Sequence, residues 1–211
     1  MDVLPDKNSG YGTKEYWDSR YEQEIGSTFD WFKTFEALRP HLEELIPKFA
    51  RIIHLGTGNS TLPEDMFDTG YHNQVAMDYS PVVIQSMKQR NLSRPGLEFI
   101  EADVFRLDSS FEAGSFDIAI DKGTLDAFLT SERDHDPWNP SDETKQLARD
   151  YMQQVQAILK PTGKFIHITF AQPHFRKPLL NLEPTMQVKT ARTLQGDGFD
   201  YFLYISEHTL L

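Results

Sequence analysis

The 211-residue chain has no cysteine, which excludes a disulfide framework, a thiolate metal site and a cysteine nucleophile. It has no apolar run close to the roughly 20 residues that cross a bilayer. Its first residues, MDVLPDKNSGYG, have neither the basic-then-apolar order of a secretory signal nor the arginine-rich character of a transit peptide. The sequence therefore predicts a cytoplasmic protein with no membrane partner.

Basic residues are also scarce, since 21 lysines and arginines face 32 acidic residues and the formal net charge is −11. Such a field repels a phosphate backbone, so nucleic-acid binding is not expected. A basic protein partner is favoured instead, with simple solubility as the alternative explanation. The length suits one domain better than two.

Short apolar runs alternate with helical patterns along most of the chain. This alternation predicts a doubly wound parallel sheet covered by helices on both faces, an α/β fold of the Rossmann-like type. Two final strands joined by a turn at Gly196–Gly198 predict an antiparallel hairpin, for a total of seven mostly parallel strands. Helices are predicted from Thr13 (as N-cap), from Trp31 to Leu45, after Ser60, from Ser80 to Arg90 and from Asp142 to Leu159.

The first predicted strand ends in the glycine-rich turn LGTGNS. Gly56 and Gly58 allow a positive φ and close approach of a ligand, and the helix that follows offers free N–H groups. A dinucleotide-binding loop would read G-x-G-x-x-G, but this one reads G-T-G-N-S-T and lacks the third glycine. Taken alone, the turn fits several cofactors, or none if it is merely a tight turn.

Acidic residues end the next two predicted strands. Asp78 lies twenty residues after Gly58, the spacing at which a carboxylate accepts hydrogen bonds from ribose hydroxyls. Tyr79 beside it is placed to cover the sugar or the adenine. At the third strand, Asp103 is a candidate acceptor for the adenine amino group, and Val104 offers an N–H and an apolar contact. A helix N-cap at Asp78 and a turn at Asp103 are the structural alternatives.

The fourth predicted strand ends at Asp121, Lys122 and Gly123. Four strand ends of this composition fit S-adenosylmethionine better than a nicotinamide dinucleotide, because the methyl donor has no pyrophosphate to seat on the helix. Asp121 and Asp126 are the candidate catalytic residues, as an acidic lining that orients an amine. The alternative for Asp126 is a favourable charge in the first turn of a helix beginning near Thr124.

The acidic segment at residues 130–143 is interpreted either as a substrate-facing loop or as a solvated connection. Its Asp134-His135-Asp136 triplet is a poor metal site, because adjacent residues rarely converge on one ion. No metal is therefore predicted.

Six segments of the chain resemble one family. They are YWDSRY, FDWF, LGTGNSTL, MDYSPVVIQSM, DKGTLDAFL and LKPTGKFIHITFAQPHFR. They are similar to the eukaryotic class I methyltransferases that modify lysine on translation elongation factor 1-alpha, the family of elongation factor 1-alpha lysine methyltransferase 4 and the methyltransferase-like 13 proteins. The resemblance runs from about Tyr11 to the C-terminal hairpin. It implies a single methyltransferase domain over 13–211, in which residues 13–48 form a helical lid. The polar residues 1–12, with Pro5, Gly10 and Gly12, predict a flexible arm.

The resemblance also assigns roles to residues. It implies S-adenosylmethionine as cofactor, S-adenosylhomocysteine as product and elongation factor 1-alpha as the basic protein substrate. The alternatives are a small-molecule methyltransferase, a non-catalytic protein that binds the methyl donor, and a nicotinamide-dependent oxidoreductase. The cofactor-binding residues that it implies are Tyr16, Trp17 and Trp31 in the lid, Gly56 and Gly58 under the methionine part, Asp78 and Tyr79 at the ribose, Asp103 and Val104 at the adenine, and Lys122 beside the cofactor.

Overall fold

A computed structural model of the protein describes residues 4–5, 7–130, 138–196 and 198–209. The Asp134-His135-Asp136 triplet and most of the acidic segment lie outside the described residues. The described part of the chain contains eight α-helices, a short 3-10 helix and seven strands. The helices are α1 (Lys14–Gln23), α2 (Phe35–Leu45), α3 (Leu62–Asp68), α4 (Pro81–Arg90), α5 (Leu107–Ser110), α6 (Thr124–Leu129), α7 (Asp142–Ile158) and α8 (Pro173–Leu180).

The seven strands form one sheet in the order β3-β2-β1-β4-β5-β7-β6. Strands β1 to β5 are parallel, while β7 runs antiparallel to both β5 and β6. The strand order reverses between β1 and β4, where sheets of this kind bind ligands. The strands are β1 (Ile52–Leu55), β2 (Gln74–Asp78), β3 (Leu97–Glu101), β4 (Phe116–Lys122), β5 (Leu159–Thr169), β6 (Met186–Leu194) and β7 (Tyr201–His208). The predicted fold class is thus confirmed.

Successive strand residues point to opposite faces, and each face has its own core. Ile52 of β1 packs in a core with α2 and α3, whereas Ile53 packs on the other face in a core that includes α7. Strand β1 is buried throughout because helices cover both faces. This burial explains why the central strands read as continuous apolar runs rather than as alternating patterns.

Several predicted elements differ from the structure. Helix α2 begins at Phe35 rather than at Trp31, because Phe32 has a φ of +67° and interrupts any helix there. Helix α8 was not predicted, since its sequence carries prolines at both 173 and 178. Residues Asn8–Gly12, which fall within the predicted flexible arm, form the 3-10 helix.

The 3-10 helix is fixed by an aromatic contact with the first α-helix. The Tyr11 carbonyl accepts a hydrogen bond of 2.7 Å from Trp17 Nε1, and the Tyr11 ring meets Trp31 edge-on at 5.8 Å. Such contacts order a segment whose glycine and proline content predicts a loop. No helix in the part of the chain that the structure describes is long and apolar enough to span a membrane.

Candidate active site

A cavity of about 650 Å³ lies along the edge of the sheet where β1 to β5 end. Gly56 follows β1, Asp78 ends β2, Lys122 ends β4 and Phe170 follows β5, and all four line the cavity. Tyr201 begins the antiparallel strand β7 and therefore lies at the same edge. The parallel topology thus gathers residues that are far apart in sequence.

The structure brings most of the predicted site residues together. Eight of the twelve line the cavity, and Tyr16, Gly58, Asp103 and Asp121 do not. Contact with a cofactor or substrate stays a prediction for each of the eight. They are Trp17, Trp31, Gly56, Asp78, Tyr79, Val104, Lys122 and Asp126.

Asp78 is buried at the cavity wall and is held by two backbone groups. Its Oδ2 accepts a hydrogen bond from the Gly58 N–H at 2.9 Å, and its Oδ1 accepts one from the Ser80 N–H at 3.0 Å. Burial raises the pKa of Asp78 to about 6, although these backbone hydrogen bonds oppose the change. The carboxylate therefore fixes the glycine turn against β2 and also faces the space where a ligand would lie.

Both glycines of the turn are required by the protein's own packing. Gly56 has a φ of +61°, and a Cβ there would lie 2.4 Å from Thr124 Oγ1, which donates a hydrogen bond to the Leu55 carbonyl. Gly58 has a φ of +53°, and a Cβ there would lie 2.7 Å from the hydroxyl of Tyr21. Gly58 thus supports the turn without lining the cavity.

Thr61 stands at the position of the missing third glycine, and its side chain forms a contact there. Thr61 Oγ1 lies 3.0 Å from Asp30 Oδ2 and 2.8 Å from Asp65 Oδ2, so its single proton is shared between the segment before α2 and α3 itself. A glycine could not make this contact. The departure from the dinucleotide fingerprint therefore connects the turn to the segment that contains Asp30.

Lys122 and Asp30 form a largely buried ion pair at the end of β4. The Lys122 Nζ lies 2.9 Å from Asp30 Oδ1 and also donates to the Trp31 carbonyl at 3.1 Å. Burial alone would raise the pKa of Asp30, but Lys122 and the hydroxyl of Ser60 hold that pKa below its usual value. Sequence reasoning missed Asp30, although it lies in the quoted FDWF segment between aromatic residues.

Arg20 contacts three aromatic rings of the N-terminal segment. Its guanidinium carbon lies 5.7, 5.0 and 5.3 Å from the ring centres of Trp17, Phe29 and Trp31, distances typical of cation–π contacts. It also donates a hydrogen bond to the Tyr16 hydroxyl at 3.2 Å. Tyr16 thus contacts Arg20 without lining the cavity.

Asp121 was predicted to line the mouth of the site, and this placement is wrong. Its carboxylate has no exposed surface and accepts hydrogen bonds from the N–H groups of Thr124 and Leu125 and, at 2.6 Å, from the Tyr151 hydroxyl. His167 Nδ1 lies 3.3 Å from it on the other side. Asp121 therefore fixes the start of α6 and does not reach the cavity.

Asp126 does line the cavity, but its charge is already balanced. Its Oδ1 accepts hydrogen bonds of 2.7 Å from both Thr169 Oγ1 and Arg176 Nη2, and both members of the ion pair are buried. Sequence reasoning missed Arg176, because it lies on the unpredicted helix α8. The catalytic role of Asp126 stays a prediction.

Asp103 closes a turn rather than facing the cavity. Its Oδ1 accepts a hydrogen bond of 2.9 Å from the Phe105 N–H, which is the structural alternative for this residue. Val104 is buried beside it and lines the cavity. Among the described residues, no three metal-binding side chains come close enough to hold an ion.

Replacing Gly56 with alanine is expected to destabilise the protein by about 2–5 kcal/mol. About 1–2 kcal/mol comes from the positive φ, and about 1–3 kcal/mol from overpacking against Thr124. Gly26 is the matched control, since it has a φ of +83° and no atom lies within 4 Å of the position that an alanine Cβ would take there. Urea denaturation of both alanine variants measures the difference. Equal losses would mean that contact with Thr124 is unimportant.

The strand order, the glycine turn and the buried acid at the end of β2 together define a class I S-adenosylmethionine-dependent methyltransferase. Comparison with known proteins agrees. Residues 47–199 match the family model described as "Methyltransferase domain". EEF1A lysine methyltransferase 4 of Mus musculus is 43% identical over 204 residues, which cover 96% of this chain and 78% of that protein. The chain belongs to the methyltransferase family that includes EEF1A lysine methyltransferase 4.

Other relatives and solved structures extend the comparison. The EEF1A lysine methyltransferase 4 of Bos taurus is 41% identical, with 97% of this chain and 78% of that protein covered. A 1,6-didemethyltoxoflavin-N1-methyltransferase from Burkholderia thailandensis, solved with S-adenosylhomocysteine, superposes with a TM-score of 0.62 at 18% identity, covering 99% of this chain and 93% of that one. At this identity the superposition shows the shared fold alone.

Proposed function

We propose that the protein is a cytoplasmic, S-adenosylmethionine-dependent protein-lysine N-methyltransferase that acts on translation elongation factor 1-alpha. The observation that carries the proposal is the 43% identity over 96% of the chain to a protein named for this activity. The net charge of −11 supports a basic protein as the partner.

The residues at the ends of β1, β2 and β3 fit the methyl donor. A ribose diol needs a buried acceptor, and the Asp78 carboxylate supplies one at the cavity wall. Tyr79 and Val104 would enclose the adenine, and the turn at Gly56 would lie under the methionine part. The start of α3 is occupied by the Thr61–Asp30 contact rather than left open to a pyrophosphate, which favours this donor over a dinucleotide.

The chemistry depends on the state of the acceptor amine. The bound donor would supply a methyl group carried by a positively charged sulfur. A lysine with an ordinary pKa near 10.4 must first lose a proton to water, because only the neutral amine has a lone pair to share. An apolar surrounding favours this neutral form, and proximity to the donor supplies much of the rate. The cavity provides that surrounding through its aromatic lining, which includes Trp31, Phe32 and Phe170.

Transfer of labelled methyl groups tests the proposal. The protein is incubated with isotope-labelled S-adenosylmethionine and either purified elongation factor 1-alpha or a cell lysate, and labelled proteins are identified by mass spectrometry. We expect label on a lysine of elongation factor 1-alpha. Label on small molecules alone would support the small-molecule alternative, and donor binding without any labelling would support a non-catalytic binding protein.

A further inference from the structure

The cavity has two halves that meet at the end of β4. The donor half covers the ends of β1, β2 and β3, where Asp78 and Val104 lie. The other, which we call the acceptor half, extends past Gly123 to the ends of β5 and β7, where Phe170 and Tyr201 lie. If the donor takes the first half, as the proposed function requires, the acceptor must enter through the second.

Four aromatic rings line the acceptor half, and we call them the aromatic wall: Phe32, Phe170, Phe199 and Tyr201. The ring centre of Phe32 lies 5.7 Å from that of Phe170 and 5.6 Å from that of Tyr201, and Phe199 lies 5.1 Å from Tyr201. Phe199 is 62% exposed. The wall therefore runs from the interior of the cavity to the protein surface.

Phe32 is held in the wall by a strained backbone. Its φ of +67° is uncommon for a bulky residue. Gly123 makes room for it, because a Cβ at Gly123 would lie 3.0 Å from Phe32 Cε2. Strain of this kind persists where the surrounding structure enforces it, and it concentrates at functional sites. Both features place the Phe32 ring where the two halves of the cavity meet.

The carboxylates that line the cavity near the wall already have cationic partners. Asp30 is paired with Lys122 at 2.9 Å, and Asp126 with Arg176 at 2.7 Å. Asp78 lies in the donor half and is bound by backbone N–H groups. Among the described residues, the surface that meets an incoming cation in the acceptor half is therefore made chiefly of aromatic rings, of which Tyr201 already has the Lys33 ammonium 5.2 Å from its ring centre.

We propose that the aromatic wall is the acceptor subsite, which takes the aliphatic stem and the ammonium head of a lysine, and that Phe32 determines where the amine lies. This inference rests on the proposed function. Ring faces attract an ammonium group within about 6 Å. Unlike a carboxylate, they do not strongly favour the charged form of the amine, so they hold the side chain without preventing loss of its proton.

Binding of a cationic probe and its neutral isostere tests the wall. The probes are trimethyllysine amide and the analogue in which a tert-butyl group replaces the trimethylammonium group, titrated into protein saturated with S-adenosylhomocysteine and followed by NMR. We expect the cation to bind about threefold to tenfold more tightly. Phe199→Leu and Tyr201→Leu should reduce that preference, whereas Tyr201→Phe should keep it. Phe49→Leu is the control, since Phe49 is 83% exposed and does not line the cavity.

A kinetic measurement separates this inference from the proposed function. With elongation factor 1-alpha as substrate, Phe199→Leu should raise KM about tenfold while the affinity for S-adenosylhomocysteine is unchanged. Equal binding of the two probes by the wild-type protein would overturn the aromatic wall even if elongation factor 1-alpha is methylated. A ring-dependent preference for the cation, in a protein that methylates no protein, would support the wall and overturn the proposed function.

Discussion

Asp78→Ala is expected to weaken binding of S-adenosylhomocysteine about 100-fold or more, as measured by calorimetry at pH 7.5. The ribose hydroxyls would lose a charged acceptor, and hydrogen bonds to charged groups contribute about 1.5–3 kcal/mol each. The Gly58 and Ser80 N–H groups would lose the same acceptor, so the turn itself would loosen. We therefore expect a fall in stability as well as in affinity, in contrast to a residue that contacts the ligand alone.

Asp117→Ala is the matched control for this substitution. Asp117 also accepts a hydrogen bond from a backbone N–H, that of Arg51 at 2.9 Å, and it does not line the cavity. The Asp117→Ala variant should be less stable than the wild-type protein, but its affinity for S-adenosylhomocysteine should be unchanged. If Asp78→Ala binds the ligand as the control does, the assignment of Asp78 to the ribose is wrong.

The raised pKa of Asp78 gives the same prediction a pH dependence. Burial brings that pKa to about 6, so the ionised acceptor is lost as the pH falls below 6. One pH unit below the pKa, about one molecule in ten keeps the charge, and affinity for S-adenosylhomocysteine at pH 5 should be about tenfold weaker than at pH 7. The ligand-free protein shows the opposite trend, since ionising a buried acid makes this group's contribution to stability fall between about pH 4 and pH 6.

Three other titratable groups near the turn do not change their charge in this pH range. The phenols of Tyr21 and Tyr79 have pKa values raised above their usual range, and burial lowers the pKa of His54 to about 4. None of these groups titrates between pH 5 and pH 7. Asp78→Asn should therefore bind weakly with no pH dependence in that interval, and a retained tenfold change would assign the titration to another residue.

The sheet could be predicted from the sequence, and so could the positions of Gly56 and Asp78 at the cavity, because both follow from local patterns. A buried apolar strand that ends in glycine or an acid places that residue at the ligand edge by topology alone, and Gly56 and Asp78 are examples. Asp121 shows where such local patterns fail to predict the position of a side chain. It ends a strand in the same way, but its carboxylate turns toward Tyr151 and His167, which belong to distant elements. The side of a strand that a polar residue faces is decided by such long-range partners.

Asp30 and Phe32 show a second limit. Their positions depend on a tertiary ion pair and on a positive φ, neither of which has a periodic signal in the sequence. The FDWF segment continues an apolar pattern, and a helix beginning at Trp31 is therefore what the sequence predicts. In the structure the same residues form the connection between the glycine turn, the end of β4 and the aromatic wall. Long-range contacts that override local propensity are thus concentrated at the candidate site.

Lys122→Met is expected to lower the free energy of unfolding by about 3–5 kcal/mol, because it leaves the buried Asp30 without its cation. The methionine keeps the apolar stem, so lost packing is small. Both the Asp30 contact and the bond to the Trp31 carbonyl disappear, and the segment that contains Asp30 and Trp31 is released from β4. Urea denaturation at pH 7 measures the loss, and affinity for S-adenosylhomocysteine should fall with it.

Lys145→Met is the matched control, since Lys145 forms an ion pair with the exposed Asp142 at the surface, where such pairs contribute little. A double-mutant cycle with Asp30→Asn then isolates the buried pair. The asparagine oxygen can still accept from the hydroxyl of Ser60, as Asp30 Oδ1 does, and the charge that Lys122→Met leaves unbalanced is gone. The double variant should therefore be more stable than Lys122→Met alone. Strictly additive losses would mean that the two side chains act independently. The segment around Asp30 would then be held by the contacts of Phe29 and Trp31 with Arg20 rather than by the end of β4.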